Sequence, residues 1–334
     1  MRKIELRYEK EVQIMNMDKY RIQTDLAIET KEMVSSEKDV EIEGVKVVIE
    51  EKESKNIKVT RVNIFNEAGS KSMGKPIGNY ITIESDLIKE NESDMHRKIS
   101  KIISGELKQL FDMKKDKKVF VAGLGNWNVT ADSLGPKVVS KTIVTRHLYE
   151  YMKDEISKTF GCVSAFVPGV MGITGMETSE LVKSIVERTS PDLLIVVDSL
   201  AARNVGRLNT TIQITDTGIH PGSGVGNARK EINKDTVGVP VIAIGVPTVV
   251  NAVTLVSDVV DNVNKVLNDS SKLSIPEEEK HKIINELLLT DFQKLCVTPK
   301  EEDMVIKRLR NIISDSINIY AHHGVDIEDV REYL

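Results

Sequence analysis

Hydrophobic and polar residues follow two different patterns in the two parts of the chain. Between about residues 40 and 84, apolar and polar positions alternate in three runs, 40–49, 57–64 and 79–83. Alternation with a period of two predicts antiparallel strands that expose one face. From Val119 onward, short runs that are apolar throughout are separated by helix-like segments. This second pattern is typical of a buried parallel sheet covered by helices.

Together, these patterns predict an α/β fold. It has a mainly parallel central sheet with helices on both faces, and a small antiparallel β element near the N-terminus, at about 40–84. The predicted strands of the parallel sheet are 119–122, 163–167, 193–197, 210–214 and 241–245. The predicted helices are 93–111, 134–150, 177–189, 248–267 and two C-terminal helices near 277–289 and 299–322, within about 277–322.

A carboxylate follows the apolar run in two of the predicted strands. After 119–122 the chain breaks into a glycine-containing loop that carries Asp132, and the run 193–197 ends on Asp198. The carboxyl ends of parallel strands meet at one edge of a sheet, where such folds bind their ligands. We therefore expect Asp132 and Asp198 to face one crevice.

Such a pair of carboxyl groups has the chemistry of an acid and a base. Two carboxyls held close together cannot both ionise cheaply, so one keeps a proton near neutrality. The ionised group can take a proton from water, and the protonated group can polarise a carbonyl or protonate a leaving amine. These roles suit amide hydrolysis. The structural alternative is that Asp198 caps a helix that begins after it.

Two further loops of the predicted sheet, 168–175 and 220–227, are rich in glycine. Glycine lets backbone N–H groups approach a ligand closely. Either loop alone is equally well explained as a turn. Beside two aspartates at strand ends, however, the two loops together favour a binding site.

Several well-known motifs are absent from the sequence. A dinucleotide-binding G-x-G-x-x-G is excluded because Asn128 stands at its third glycine, and Ser223 lacks a nucleophile elbow because Pro221 replaces the required glycine. The sequence has no Walker A motif and no H-E-x-x-H. Asp216-Thr217-Gly218 matches the D-T-G of pepsin-like proteases, but it occurs in an α/β context, so we interpret Asp216 as a turn residue.

Composition narrows the class of protein and its partners. The 334 residues carry a net charge of −5 and only 4% aromatics, which argues against direct nucleic-acid binding. Cys162 and Cys296 are far apart in sequence and predict no disulfide framework. The N-terminus has no apolar signal region, and no apolar run approaches the ~18 residues of a membrane span. We expect a soluble intracellular protein with no membrane partner.

Taken in order and spacing, the loops resemble the spore germination protease family of endospore-forming bacteria. The matching segments are GLGN at 123–126, VTADSLGP at 129–136, TRHL at 145–148, VPGVMG at 167–172, DSLAAR at 198–203 and GIHPGSGVGN at 218–227. The resemblance runs from about residue 24 to about 323. It implies a hydrogenase-maturation-peptidase-like α/β fold, assembly as a homotetramer, and location in the cytoplasm of the forespore and spore core.

The resemblance also implies an activity and the residues that perform it. The expected enzyme is an endopeptidase that degrades small acid-soluble spore proteins during germination, by an aspartic-type mechanism without cofactor or metal. Asp132 and Asp198 match the two catalytic aspartates of the family. The residues expected to bind or support substrate are Gly123, Gly125, Asn126, Gly169, Gly172, Arg203, His220, Gly222 and Gly224.

Members of this family are made as zymogens, which implies that the N-terminal segment is removed. Thr24-Asp25-Leu26-Ala27 has an acidic residue followed by a large apolar one, as a substrate cleavage site of the family does. We expect processing at the Asp25–Leu26 bond. Residues 1–25 are then a propeptide, and 26–334 form a single α/β protease domain.

Two other interpretations remain open at this stage. In the first, Asp132, Asp198 and His220 gather one divalent ion, and the protein is a metal-assisted peptidase. In the second, the glycine-rich loops hold an anion, and the protein is a non-catalytic ligand-binding α/β module.

Overall fold

A computed structural model of the chain describes residues 24–34, 42–114, 117–222, 229–271, 276, 279, 282 and 295–326. Within these residues, nine strands form one sheet. They are β1 Val45–Lys52, β2 Ile57–Ile64, β3 Gly78–Glu84, β4 Lys118–Gly123, β5 Cys162–Phe166, β6 Leu193–Ala202, β7 Thr211–Thr215, β8 Val241–Asn251 and β9 Cys296–Val297.

Helices pack on both faces of this sheet. In chain order they are α1 Ala27–Val34, α2 Glu67–Met73, α3 Ser93–Leu110, α4 Leu134–Val139, α5 Arg146–Tyr149, α6 Lys153–Ile156, α7 Met171–Thr174, α8 Thr178–Thr189, α9 Lys234–Val237, α10 Ala252–Ser271 and α11 Glu302–Ala321. None of the helices in the described part of the chain is both long and apolar enough to cross a membrane.

The strand order is β1-β2-β3-β7-β8-β6-β4-β5, with β9 paired to the end of β8. Strands β5, β4, β6 and β8 are parallel to their neighbours in this block. Strands β1, β2, β3 and β7 are antiparallel and continue the same sheet, because β7 pairs with both β3 and β8.

The predicted α/β class is confirmed, but the sheet is mixed rather than mainly parallel. The reason lies in β7, which we expected to run parallel to the others. The short connection 203–210 returns the chain into the sheet at the edge where β6 ends. A parallel strand needs a crossover to the opposite edge, so β7 runs antiparallel. It thereby joins the N-terminal antiparallel element to the parallel block.

The predicted helix 134–150 is wrong in its extent. Two short helices, α4 and α5, replace it, and the chain between them is irregular. The hydroxyl of Thr142 donates to the carbonyl of Val138, the N–H of Ile143 donates to Asn318 Oδ1, and the hydroxyl of Thr145 donates to the carbonyl of Gly161. Such side-chain bonds compete with the helix ladder. The predicted C-terminal helix near 277–289 lies almost entirely outside the described residues.

The core has one layer on each face of the sheet. On one face, α3 and α11 cover side chains such as Val121 and Ile195. On the other face, α8 packs on Leu194 and Val196, and Leu26 belongs to the same cluster. Leu26 is fully buried, and burying a leucine contributes roughly 1.5–3 kcal/mol. The residue that follows the predicted processing bond is therefore part of the core.

Candidate active site

The loop that carries Asp132 is closed by hydrogen bonds between its own backbone groups. The N–H of Asn126 donates to the carbonyl of Asp132 at 2.9 Å, and the N–H of Asp132 donates to the carbonyl of Val129 at 2.9 Å. Gly125 adopts φ +109°, and a Cβ at this position would lie 2.0 Å from the carbonyl oxygen of Asp132. Only glycine allows the loop to close in this way.

Asp198 lies inside β6, opposite Gly245 of β8. It was expected at the end of a strand, but β6 continues to Ala202 because β8 remains paired with it. The N–H of Ser199 donates to Asp198 Oδ1 at 2.8 Å. Since Asp198 is followed by strand and not by a helix, the capping alternative is wrong.

A direct bond joins the loop after β4 to β6. The N–H of Leu124 donates to the carbonyl of Val197 at 2.8 Å. Gly135 lies against both residues, since a Cβ there would be 2.2 Å from the carbonyl oxygen of Leu124 and 2.5 Å from that of Val197. This contact holds the loop of Asp132 beside Asp198.

Asp132 and Asp198 line one cavity of about 570 Å³. The expected crevice between them is therefore present. The predicted support residues Gly125, Gly169, Gly172, His220 and Gly222 line the same cavity, as does Asp25.

The two carboxyl groups differ in their affinity for protons. Burial raises the pKa of Asp132 to about 6, although a hydrogen bond from the backbone N–H of Asn126 opposes the shift. Burial raises the pKa of Asp198 well above its usual range, and the charges of Asp132 and Asp25 add to this, whereas the N–H of Ser199 lowers it. Asp198 is thus the group that keeps the proton, and Asp132 is the one that ionises first.

Other predicted support residues take roles that the sequence did not indicate. Gly123 packs against the backbone of Gly135, 2.2 Å from the position its Cβ would take. Arg203 does not line the cavity, and its guanidinium lies 3.4 Å from Asp258. Its backbone N–H donates to the carboxylate of Glu29. Gly224 lies outside the described residues.

The ligand set of the metal-assisted alternative does not come together. His220 Nε2 lies 3.0 Å from Glu231 Oε1, and its side chain is half exposed. Among the residues that the structure describes, no three His, Cys, Asp or Glu side chains are grouped so that they could hold a metal ion.

The segment that contains the predicted processing bond, residues 24–29, is bound beside the cavity that Asp132 and Asp198 line, and Asp25 forms part of the cavity lining. We call it the processing segment. The N–H of Asp25 donates to the carbonyl of Ala201 at 3.1 Å, and the N–H of Ala201 donates to Asp25 Oδ2 at 2.8 Å. Further along, the carboxylate of Glu29 accepts from the N–H groups of Arg203 at 2.7 Å and Asn204 at 2.9 Å. The segment is therefore attached to the end of β6 at two points.

Two side chains that sequence reasoning missed contact the same segment. Lys75 Nζ and Gln213 Nε2 each lie 3.1 Å from the carbonyl oxygen of Asp25. Lys75 stands in a glycine- and proline-containing break, where nothing distinguishes it from a surface lysine. Gln213 carried a weak signal, because it is the polar centre of the otherwise β-forming run Thr-Ile-Gln-Ile-Thr.

Two comparisons, with family profiles and with curated sequences, agree on one family. A family profile described as germination protease matches residues 24–274 and 272–334. A germination protease from Caldanaerobacter subterraneus subsp. tengcongensis is 47% identical over 322 residues, which cover 94% of this chain and 98% of that protein. One from Bacillus cereus is 39% identical over 363 aligned positions, covering 96% and 98%. A NiFe hydrogenase maturation protease, HycI from Thermococcus kodakarensis, aligns at 21% identity with a TM-score of 0.28, over 43% of this chain and 80% of that one.

Proposed function

The chain belongs to the germination protease family, and we propose that it is a self-processing endopeptidase that degrades small acid-soluble spore proteins during germination. We further propose that it cuts after acidic residues by an aspartic-type mechanism, with Asp132 and Asp198 as its catalytic pair. The zymogen form then includes residues 1–25, and the mature enzyme begins at Leu26.

One observation carries this proposal: Asp25 lines the same cavity as Asp132 and Asp198. The predicted cleavage site thus lies in the cleft in the way a bound substrate would. The N–H of Asp25 donates to the carbonyl of Ala201 in β6, and main-chain bonds of this kind are how proteins bind extended peptides. The N–H of Ala201 donates to the Asp25 carboxylate, and this contact accounts for a preference for an acidic residue before the bond.

The chemistry follows from the unequal pKa values of the two aspartates. Ionised Asp132 takes a proton from water, and the water oxygen attacks the carbonyl carbon of Asp25. Protonated Asp198 then gives its proton to the nitrogen of Leu26 as the C–N bond breaks. The products are a new carboxyl group on Asp25 and a new amine on Leu26. A proton transfer from Asp132 to Asp198 restores the starting state.

The test of this proposal is the N-terminal sequence of the purified chain after incubation at mildly acidic pH. We expect Leu26 as the new N-terminus, together with cleavage of an added spore protein after acidic residues. Asp132→Asn and Asp198→Asn should each abolish both reactions. A variant that keeps near-normal turnover would remove that residue from the mechanism.

A chelator added to the same assay separates the alternatives. Cleavage that resists the chelator supports the aspartic-type mechanism, whereas loss on chelation supports the metal-assisted one. Absence of any cleavage by the wild-type chain supports a non-catalytic module.

Assembly and location form the last part of the proposal, and the resemblance to the family supports them. We propose a homotetramer that acts in the cytoplasm of the forespore and spore core. Light scattering should give four times the chain mass of 37.3 kDa. A chain that scatters as a monomer at working concentration would contradict the tetramer.

A further inference from the structure

The carbonyl oxygen of Asp25 accepts two hydrogen bonds from side chains of different elements. Lys75 Nζ reaches it from the connection between α2 and β3, and Gln213 Nε2 reaches it from β7, both at 3.1 Å. A carbonyl oxygen has two lone pairs, so these two donors satisfy it fully. This oxygen belongs to the peptide bond that the proposed function cuts.

Gln213 fixes the position of that bond from both sides. Its Oε1 accepts from the N–H of Ala27 at 2.7 Å, while its Nε2 donates to the carbonyl of Asp25. One side-chain amide therefore spans Leu26 and grips the backbone before and after it. Gln213 is itself buried, with 6% of its surface exposed.

Lys75 brings an amine donor to the same oxygen. Burial lowers the pKa of Lys75, and the negative charges of Asp25 and Glu29 act against that shift. A carbonyl oxygen that becomes negative adds to the charges that favour the protonated amine, and a charged donor makes a hydrogen bond roughly twice as strong as a neutral one. The tip of this side chain is thus a donor suited to an oxygen that becomes negative.

The register of the sheet relates this oxygen to the aspartate pair. Gln213 lies opposite Gly245, and Gly245 lies opposite Asp198, so the three stand in one row on the same face. Adjacent strands are ~4.8 Å apart, which puts about 10 Å between the backbones of Gln213 and Asp198. The side chain of Leu200 packs over Gly245, since a Cβ at 245 would lie 2.4 Å from Leu200 Cδ1. Asp25 connects the two outer strands, since it contacts β6 through Ala201 and β7 through Gln213.

We propose that Lys75 and Gln213 bind the carbonyl oxygen of the substrate bond and stabilise the negative charge it acquires during hydrolysis. This inference rests on the proposed function. As water attacks the carbonyl carbon, the π electron pair of the C=O bond moves onto the oxygen, and the two donors hold it without transferring a proton. The electron pair returns from the oxygen to form C=O when the C–N bond breaks and Asp198 protonates the nitrogen. The two aspartates therefore act only on the attacking water and on the leaving amine.

The experiment measures kcat and KM in trans for variants of these two residues. Each full-length variant is first processed by affinity-tagged wild-type enzyme, which is then removed, and is assayed on a peptide containing Thr-Asp-Leu-Ala-Ile-Glu. Loss of one oxyanion donor typically lowers kcat by about 10² to 10³. We expect a fall of that size for Lys75→Met, with a much smaller change in KM, because the interaction strengthens only in the transition state.

Three further variants keep the test independent of folding. Gln213→Glu retains the acceptor for the N–H of Ala27 but replaces the donor by a negative charge, so kcat should fall at least as far. Lys75→Arg keeps a side-chain N–H donor and should recover part of the activity. Lys71→Met changes an exposed lysine of α2 and should behave as wild type.

The outcomes distinguish the inference from the proposed function. If the wild-type chain does not cleave the peptide, the proposed function fails. The wild-type chain can instead cleave the peptide while Lys75→Met and Gln213→Glu keep its kcat or only raise KM. In that case Lys75 and Gln213 merely hold the segment in place, and the inference is overturned.

Discussion

The carboxyl groups of Asp132 and Asp198 interact, and the charge of Asp132 adds to the burial that raises the pKa of Asp198. The pair therefore titrates as a unit that retains one proton between two pH limits. This relationship makes the pH dependence of the enzyme predictable.

We predict that kcat rises with pH through about 6 and falls again at higher pH. The rise follows ionisation of Asp132, whose pKa is about 6, because only its ionised form can take a proton from water. The fall follows loss of the proton from Asp198, which must stay protonated to serve as the acid. Initial rates of peptide cleavage between pH 4 and 9 check this, and a profile that is flat across pH 6 would exclude Asp132 as the base.

The same shift predicts that Asp132 destabilises the fold at neutral pH. Its pKa is about 6 when folded and 3.8 for the unperturbed group, so the folded chain binds the proton more tightly. Stability contributed by Asp132 is therefore present below pH 3.8 and is lost as pH rises through 6, by at most about 3 kcal/mol at ~1.4 kcal/mol per pKa unit.

Asp132→Asn should accordingly raise the free energy of unfolding at pH 7.5 by up to that amount, and by less at pH 5. Urea unfolding at the two pH values measures the difference. Asp154→Asn, at an exposed aspartate, serves as the control and should change neither value. Equal stabilisation of Asp132→Asn at both pH values would show that its effect is unrelated to protonation.

Two glycines that the sequence marked as equivalent support residues should respond differently to alanine. Gly125 adopts φ +109°, and its Cβ would lie 2.0 Å from the carbonyl oxygen of Asp132, whereas a Cβ on Gly172 meets no atom within 4 Å. Gly125→Ala must displace the loop that holds the proposed base, so we expect kcat to fall by about 100-fold, the size of loss that misplacing a reacting group by ~1 Å produces.

Gly172→Ala is the matched control, because it adds the same methyl group to the wall of the same cavity without a clash. We expect its kcat to remain within about threefold of wild type, as for substitutions outside such strained features. Circular dichroism of both variants confirms that each is folded. If the two variants lost activity equally, the closure of the loop by Gly125 would not be what positions Asp132.

Much of the fold was predictable because it depends on local patterns. Continuous apolar runs located strands β4, β5, β6 and β8, and alternation located the N-terminal ones. The direction of β7 was not predictable from its own residues, since it depends on which edge the connection 203–210 returns to. The ends of β6 and β8 were also missed, because each strand continues only while the other remains paired with it.

The residues of the candidate site were likewise predictable only where a local pattern marks them. Asp132 and Asp198 could be identified because each follows an apolar run, and a strand end is where such folds place polar ligands. Lys75 could not, because its role depends on tertiary contact with Asp25, fifty positions earlier in the sequence. Neither residue carries a local signal of that contact.

The carboxylate of Glu29 should be what holds the processing segment in the cleft. It accepts from the N–H groups of Arg203 and Asn204 and lies 3.5 Å from the guanidinium of Arg207. Hydrogen bonds to a charged group contribute about 2 kcal/mol, so Glu29→Gln should increase local opening of the segment by about 30-fold. Hydrogen exchange at the N–H of Ala27, measured in the non-processing Asp198→Asn chain, reports this opening. Glu32→Gln alters an exposed partner of Arg207 and should have little effect; equal exchange in the two variants would contradict a holding role for Glu29.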